Sequence, residues 1–292
     1  MSVAATNAAT LRARPIGVFD SGVGGLTVLR ALRTAMPTES FLYLGDTARL
    51  PYGTKSAHTV VRYAIQAADE LVARDIKCLV VACNTAAAAA LPAMRERYAS
   101  LPVIGVIEPG ARAACAATGN GRIAVLGTYS TVRGGAYTRA IMALNLQAQV
   151  SAIACSLFVA LAEEGWTEGA VAEAAAARYL QPLLKNAASA PDTLVLGCTH
   201  FPVLAAVIVA TIGGGVRIVD SALTTATAVR AELERGGLLR AEATDVAAGD
   251  AAGNELEFLA TDGVERFAVI GSRFLGQAID PAAVGSPLFS VE

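Results

Sequence analysis

From Pro15 onward, short runs of apolar, often β-branched residues alternate with alanine-rich stretches of helical length. Continuous apolar runs with no polar alternation indicate strands buried on both faces. Strands are read at 16–19, 41–44, 78–82, 103–107, 123–126, 150–154, 194–196, 216–219 and 255–260. Helices are read at 25–35, from a loop ending at 54 to 74, at 85–98, 111–117, 131–144 and 168–185, from 200 to 211, and at 222–235 and 266–277. Strands that alternate with helices imply parallel sheets covered on both sides.

The pattern restarts halfway along the chain. Residues 79–86 read LVVACNTA and residues 194–202 read LVLGCTHFP. Each is an apolar strand, a small residue, a cysteine, then amide or hydroxyl groups that open a helix. Ile16 precedes Cys83 by 67 positions and Ile123 precedes Cys198 by 75, so one strand–helix order occurs twice with matched spacing. The fold class expected is α/β, with two similar domains of mostly parallel sheet flanked by helices. A pseudo-twofold relates them and the active site lies in the cleft between them. Open α/β sheets bind ligands at the carboxyl ends of their strands, where both cysteines fall. A helix N-terminus beside each is expected to draw the thiol pKa down toward neutrality. Free cysteines are also common core residues, and Cys78, Cys115 and Cys155 are read that way.

Composition at first points elsewhere. Hydrophobic types make up 54% of the chain, charged types 16%, and the mean hydropathy is +0.50. Alanine, about a fifth of the chain, supplies much of that value while burying little area per residue. The longest uncharged stretches carry Asn84 and Pro92, or Asn145 and Gln147, or His200 and Gly213–Gly215, so they read as strand–turn–helix units rather than bilayer spans. With 23 basic and 25 acidic residues, no cationic excess exists to neutralise phosphates, and nucleic-acid binding is not expected. Five cysteines without a CxxC argue against a disulfide framework or a Cys-rich zinc site, and a reducing cytoplasm is the expected compartment. Residues 1–14 lack the apolar core of a secretory signal and are read as a flexible N-terminal extension.

Polar residues concentrate at the strand ends. Strand one runs into Asp20-Ser21-Gly22-Val23-Gly24-Gly25. A dinucleotide fingerprint is disfavoured, because its third glycine is replaced by Thr27 and the Asp20 carboxylate would repel a pyrophosphate. After strand two, Asp46 and Arg49 read as parts of a structural turn, while Tyr52 could offer a hydroxyl or backbone N–H to a ligand. The two histidines do not form a zinc motif, so no metal is expected: His58 is read as a surface residue and His200 as a proton-handling neighbour of Cys198. Of the three lysines, Lys77 precedes a strand and Lys185 ends a helix, away from the strand ends, which leaves Lys55 alone as a weak candidate for a pyridoxal Schiff base.

Two thiols on opposite sides of a carbon suit one reaction. One removes a proton from one face while the other delivers a proton to the opposite face, inverting the stereocentre without a cofactor. Ser21, Asn84, Thr85, Thr199 and the helix N-termini could hold a carboxylate as charge develops. A binding module with no catalysis, or a cysteine hydrolase, would leave one of the two cysteine motifs without a role.

At these residues the chain resembles the glutamate racemases of bacterial cell-wall synthesis. The resemblance is carried by GVFDSGVGGLTVL (17–29), YLGDTARLPYG (43–53), VVACNTA (80–86), PVIGVIEPG (102–110), VLGTYSTV (125–132) and LVLGCTHFPVL (194–204), together with IVDSA (218–222) and ERFAVIGSRFLG (265–276). It implies cofactor-independent interconversion of L- and D-glutamate, with Cys83 acting on the D-isomer and Cys198 on the L-isomer. Catalytic positions would include Asp20, His200 and, in ACSLFVALAE (154–163), Glu163. Substrate would touch Asp20, Ser21, Tyr52, Gly53, Asn84, Thr85, Thr199 and His200. Ser156 and Ala160 depart from prolines usual in that family. The resemblance also implies a discontinuous first domain, 15–108 with 219–292, around a second domain, 109–218. The strand at 216–220 and the C-terminal tail would then rejoin the first half. Glutamate as substrate, a bacterial cytoplasmic setting, a nucleotide-linked peptidoglycan precursor as activator and a homodimer are expected. The alternative is a racemase of another acidic amino acid such as aspartate.

Overall fold

The computed structural model describes residues 9–240 and 255–287. Among them, two all-parallel sheets are built. The first has the order β10-β9-β2-β1-β3-β4 and the second β6-β5-β7-β8. The first comprises β1 (Ile16–Asp20), β2 (Phe41–Gly45), β3 (Cys78–Val81), β4 (Val103–Gly105), β9 (Leu256–Ala260) and β10 (Val284–Gly285). The second comprises β5 (Arg122–Gly127), β6 (Gln149–Ala154), β7 (Thr193–Gly197) and β8 (Arg217–Asp220). Its register is level at the carboxyl ends: Gly127 pairs with both Ala154 and Gly197. In the first sheet Asp20 pairs with Gly45, and Phe19 with Val81. Cys83 and Cys198 therefore leave equivalent edges of two similarly built sheets.

Helices cover the sheets: α1 (Leu26–Ala35), α2 (Ala57–Val72), α3 (Asn84–Arg97), α4 (Ile107–Ala117), α5 (Tyr129–Gly134), α6 (Ala136–Leu144), α7 (Ser156–Glu164), α8 (Gly169–Leu184), α9 (Ala205–Ile212), α10 (Ser221–Arg235) and α11 (Val264–Leu275). No helix among the described residues is long and apolar enough to cross a membrane.

Several elements differ from the sequence reading, each for a local reason. The strand expected through 107 stops at Gly105, and Ile107 already begins α4. Pro109 sits in the first turn of that helix, where a missing N–H leaves no hydrogen bond unmade. The helix expected over 131–144 is two, α5 and α6, separated by Gly135 at φ 62° in the left-handed region. Helix α7 was not foreseen. Its core face is Phe158, Leu161 and Ala162, but Leu157 on the outer face is apolar too, and this blurs the helical period. The strand at 216–220, expected to rejoin the first half, instead pairs with β7 in the second sheet. It is α10 that returns the chain, packing against α1 with Val229 and Leu233 fully buried. The loop read over 236–254 falls mostly outside the described residues, as do residues 1–8.

Residues 9–13, inside the expected flexible extension, are helical and tied to the body of the protein. The tie is the buried ion pair of Lys77 and Glu39, both side chains fully enclosed. The Lys77 ammonium donates to Glu39 Oε2, to the Arg12 carbonyl at 2.7 Å and to the Leu238 carbonyl at 3.0 Å. Glu39 Oε1 accepts from the Arg240 backbone N–H at 2.8 Å. All three ammonium protons are thus used, which is the condition under which a buried pair is tolerated. Replacing Lys77 by alanine would strand a buried carboxylate. The expected cost is about 3–5 kcal/mol of unfolding free energy, read by denaturant titration. A loss below about 1 kcal/mol would contradict the pinning role.

Candidate active site

Ends of β1, β3 and β7 converge on a cavity of about 300 Å³. From the first sheet come Ser21, Tyr52, Gly53, Cys83, Asn84 and Thr85, and from the second Glu163, Cys198, Thr199 and His200. These are all of the expected site residues except Asp20, which is fully buried within hydrogen-bonding distance of the Gly22 backbone N–H. Cys78, Cys115 and Cys155 do not line the cavity, and His58 is exposed on α2.

The glycines after β1 serve close approach rather than phosphate binding. A Cβ on Gly24 would overlap Thr199 Oγ1 and His200 Nδ1, and one on Gly25 would lie 2.5 Å from the Asp20 Cβ. Thr27 Oγ1 donates toward the Thr199 carbonyl at 2.9 Å, and Tyr43 OH supports the loop by donating to the Gly22 carbonyl at 2.9 Å. The first lobe is thereby seated against the segment that carries the second cysteine.

The turn after β2 is structural, but it has a consequence for the site. Asp46, fully buried, accepts from Arg49 Nε at 2.8 Å, from Thr261 Oγ1 at 3.0 Å and from Tyr52 OH. The Tyr52 hydroxyl, considered as a ligand donor, is therefore spent on Asp46, leaving the ring and backbone of Tyr52 to shape the wall. Gly53 is latched to the other lobe: Ser130 Oγ donates to its carbonyl at 2.7 Å.

Electrostatics set the two cysteines apart. Cys83 caps α3, accepting from the Ala86 N–H at 3.4 Å, and its thiol points to Ser21 Oγ at 3.3 Å. Those contacts favour the thiolate, as the helix N-terminus argument anticipated. Burial outweighs them, with the neighbouring Asp20 charge acting in the same direction, and pushes the thiol up to about 12. Burial raises Asp20 as well, opposed by His200 and by backbone N–H groups of the glycine loop. Cys198 instead faces an imidazole: its sulfur is 3.9 Å from His200 Nδ1, and His200 Nε2 is 3.2 Å from Glu163 Oε1. Burial disfavours the charged ring, but hydrogen bonds to Cys198 and Glu163 more than compensate, raising His200 to about 10. Glu163 is lowered, chiefly by its bond to His200, and Arg266 holds its other oxygen at 3.1 Å.

Sequence reasoning missed Thr128, which lines the cavity and shares hydrogen bonds with Thr85 Oγ1 at 2.9 Å and Thr131 Oγ1 at 3.0 Å. The available signal was position: Thr128 directly follows β5 and caps α5, as Cys83 caps α3. Leu50, Val159 and Ala160 form apolar wall. The glycine contacts yield a prediction. Gly24→Ala should lower turnover by about 10²-fold, since displacement of reacting groups by an ångström costs that much. Gly214→Ala, with nothing within 4 Å of its Cβ, should leave the rate unchanged in the same assay.

The model of the Asp/Glu/Hydantoin racemase family matches residues 24–229. A glutamate racemase of Geobacter metallireducens is 52% identical over 263 residues, covering 90% of this chain and 93% of that one. The crystal structure of glutamate racemase from Francisella tularensis in complex with D-glutamate superposes with a TM-score of 0.84 at 32% identity, over 96% of this chain and 99% of that one. The Escherichia coli glutamate racemase, solved with L-glutamate and the activator UDP-MurNAc-Ala, gives a TM-score of 0.71 at 31% identity, covering 94% and 98%. With the family model spanning most of the sequence and the fold shared along nearly its whole length, this chain belongs to the Asp/Glu/hydantoin racemase family.

Proposed function

We propose that the protein interconverts L- and D-glutamate by moving a proton at Cα between Cys83 and Cys198, without a cofactor. The observation that carries this reading is the pair of thiols, delivered by two separately built sheets to one small cavity. The glutamate racemase relatives support the choice of amino acid. A thiolate on one side takes the α-proton, leaving an enolate-like carbanion, and the thiol opposite gives its proton to the other face. Protons balance, and the thiol and thiolate have exchanged sides. In this reading Cys83 serves the D-isomer and Cys198 the L-isomer. Donors from Ser21, Asn84, Thr85 and Thr199 hold the carboxylate as charge develops. Asp20 and the His200–Glu163 pair handle charge beside Cys83 and Cys198 respectively, and Tyr52 and Gly53 close the wall.

The lobes proposed are 15–108 with 219–292, and 109–218. The product would enter peptidoglycan synthesis in a bacterial cytoplasm. A nucleotide-linked precursor of the kind bound by the Escherichia coli relative is proposed as activator, and a homodimer as the assembly.

Three measurements bear on the reading. In D₂O without added cofactor, either glutamate enantiomer should lose its circular-dichroism signal while deuterium enters Cα. Racemisation of aspartate in place of glutamate would transfer the reading to that substrate, and no exchange would end it. Cys83→Ser and Cys198→Ser should each reduce kcat by about 10²–10⁴-fold, the range of positioned acid–base groups. Full rate in either variant would contradict two-base transfer.

The pH dependence follows from His200. Its folded-state pKa, about 10, lies above the ordinary 6.5. The folded protein therefore holds that proton more tightly than the unfolded chain does. The stabilisation is complete below about pH 6.5 and is lost as the pH rises toward 10. Glu163→Gln removes a cause of the raised value. It should shift the His200 NMR titration and the alkaline limb of kcat/KM to lower pH, whereas an unmoved limb would separate Glu163 from the proton transfer.

A further inference from the structure

Tyr137 belongs to the second lobe, on α6, and is 2% exposed. Its ring occupies a slot between two glycines. A Cβ on Gly110 would lie 3.2 Å from Tyr137 Cε1, and one on Gly197 would lie 2.9 Å from Cε2. Gly197 immediately precedes Cys198, so the slot is cut into the strand end that carries that cysteine. From this slot the phenol crosses to the first lobe and donates to Asn84 Oδ1 at 2.7 Å. Burial pushes the phenol far above its ordinary range, so it keeps the proton it donates.

Asn84 follows Cys83, lines the cavity and is 2% exposed. Its Nδ2 is buried and has no hydrogen-bond partner among the described residues. A buried amide nitrogen left unmade is costly, and such groups call for a ligand or another specific role. The two ends of an amide differ in sign: the nitrogen donates and the oxygen accepts. Whichever end Tyr137 holds, the other is offered to the substrate.

We infer that Tyr137 is a positioning residue for the reaction proposed above. By holding Asn84 Oδ1 across the lobes, it presents Asn84 Nδ2 to a carboxylate oxygen of the amino-acid substrate, beside Cys83. Without that anchor the amide can turn, and its oxygen then faces the carboxylate. The inference rests on the racemase reading for its substrate, but its geometry stands on the Tyr137–Asn84 bond and the glycine slot.

Tyr137→Phe keeps the ring and its slot and removes only the hydroxyl, so the fold should be retained with the melting temperature lowered by a few degrees, about the worth of one buried hydrogen bond in a chain of this size. KM for both glutamate enantiomers should rise about three- to tenfold, the worth of one oriented hydrogen bond, with a smaller change in kcat. In an Asn84→Ala background, Tyr137→Phe should have no further effect, because the group it orients is gone. An unchanged KM in the single variant would overturn the inference. So would an equal loss from Tyr137→Phe with and without Asn84. Asn84→Asp, with Tyr137 intact, supplies a second test should Tyr137→Phe fold poorly: a carboxylate aimed at the substrate should raise KM above that of Asn84→Ala, and a lower KM would overturn the assignment. The upward shift in melting temperature produced by D-glutamate needs no turnover. A smaller shift in Tyr137→Phe than in the unaltered protein supports the inference and an equal shift refutes it, independently of whether deuterium exchange bears out racemisation.

Discussion

The site depends on how closely the loop after β1 approaches the segment after β7. Gly24 has no room for a side chain against Thr199 and His200, and Thr27 ties the same loop to the Thr199 carbonyl. Without that approach, each sheet would present one cysteine to its own edge and no two-sided cavity would exist. Secondary ties act in the same sense. Ser130 holds Gly53, the threonine hydroxyls of Thr85 and Thr128 meet, and Tyr137 reaches Asn84. All of these are hydrogen bonds between lobes, formed where both partners are mostly withdrawn from water. An unmade polar group there is more expensive than one at the surface.

A buried site of this kind makes proton transfer at carbon demanding. The α-proton of an amino acid is weakly acidic, and burial alone opposes forming the thiolate that the proposed transfer requires. Cys83 shows this directly, with burial and the nearby Asp20 outweighing its helix-cap contacts. Around Cys198 the neighbours are different. Arg266 holds Glu163, Glu163 holds His200, and the charged ring stands beside the sulfur. The two sides of the cavity therefore differ in charge and also in the turn that follows each cysteine: Cys83 caps α3 directly, whereas Cys198 leads through a short 3-10 segment, Phe201–Leu204, into α9. The proposed transfer needs both surroundings in either direction, since one group must accept a proton while the other gives one up.

Much of the fold could be read from the chain because parallel strands, buried on both faces, appear as continuous apolar runs. The doubling of strand, small residue, cysteine and hydroxyl or amide pointed to both cysteine motifs that line the cavity of the candidate site. What escaped were features whose period was masked or whose meaning depended on a distant partner. Helix α7, which carries Glu163, has apolar residues on both faces. Strand β8 carries no mark of which sheet it will join, and pairs with β7 rather than rejoining the first half. Asp46 and Arg49 read correctly as a turn, but that Asp46 would take up the Tyr52 hydroxyl was not legible.

By itself the sequence determined the alternation of strands and helices, the repeat, and the two cysteines at strand ends, because each of these is written in local patterning over a few residues. Only the tertiary structure decided the electrostatics of the site: the raised thiol of Cys83, the charged His200, and the amide of Asn84 held by Tyr137 from the other lobe. These depend on burial and on partners distant in sequence. Desolvation and Coulomb interactions act through space, and no stretch of sequence records how far a side chain will end up from water or from a charge it has yet to meet.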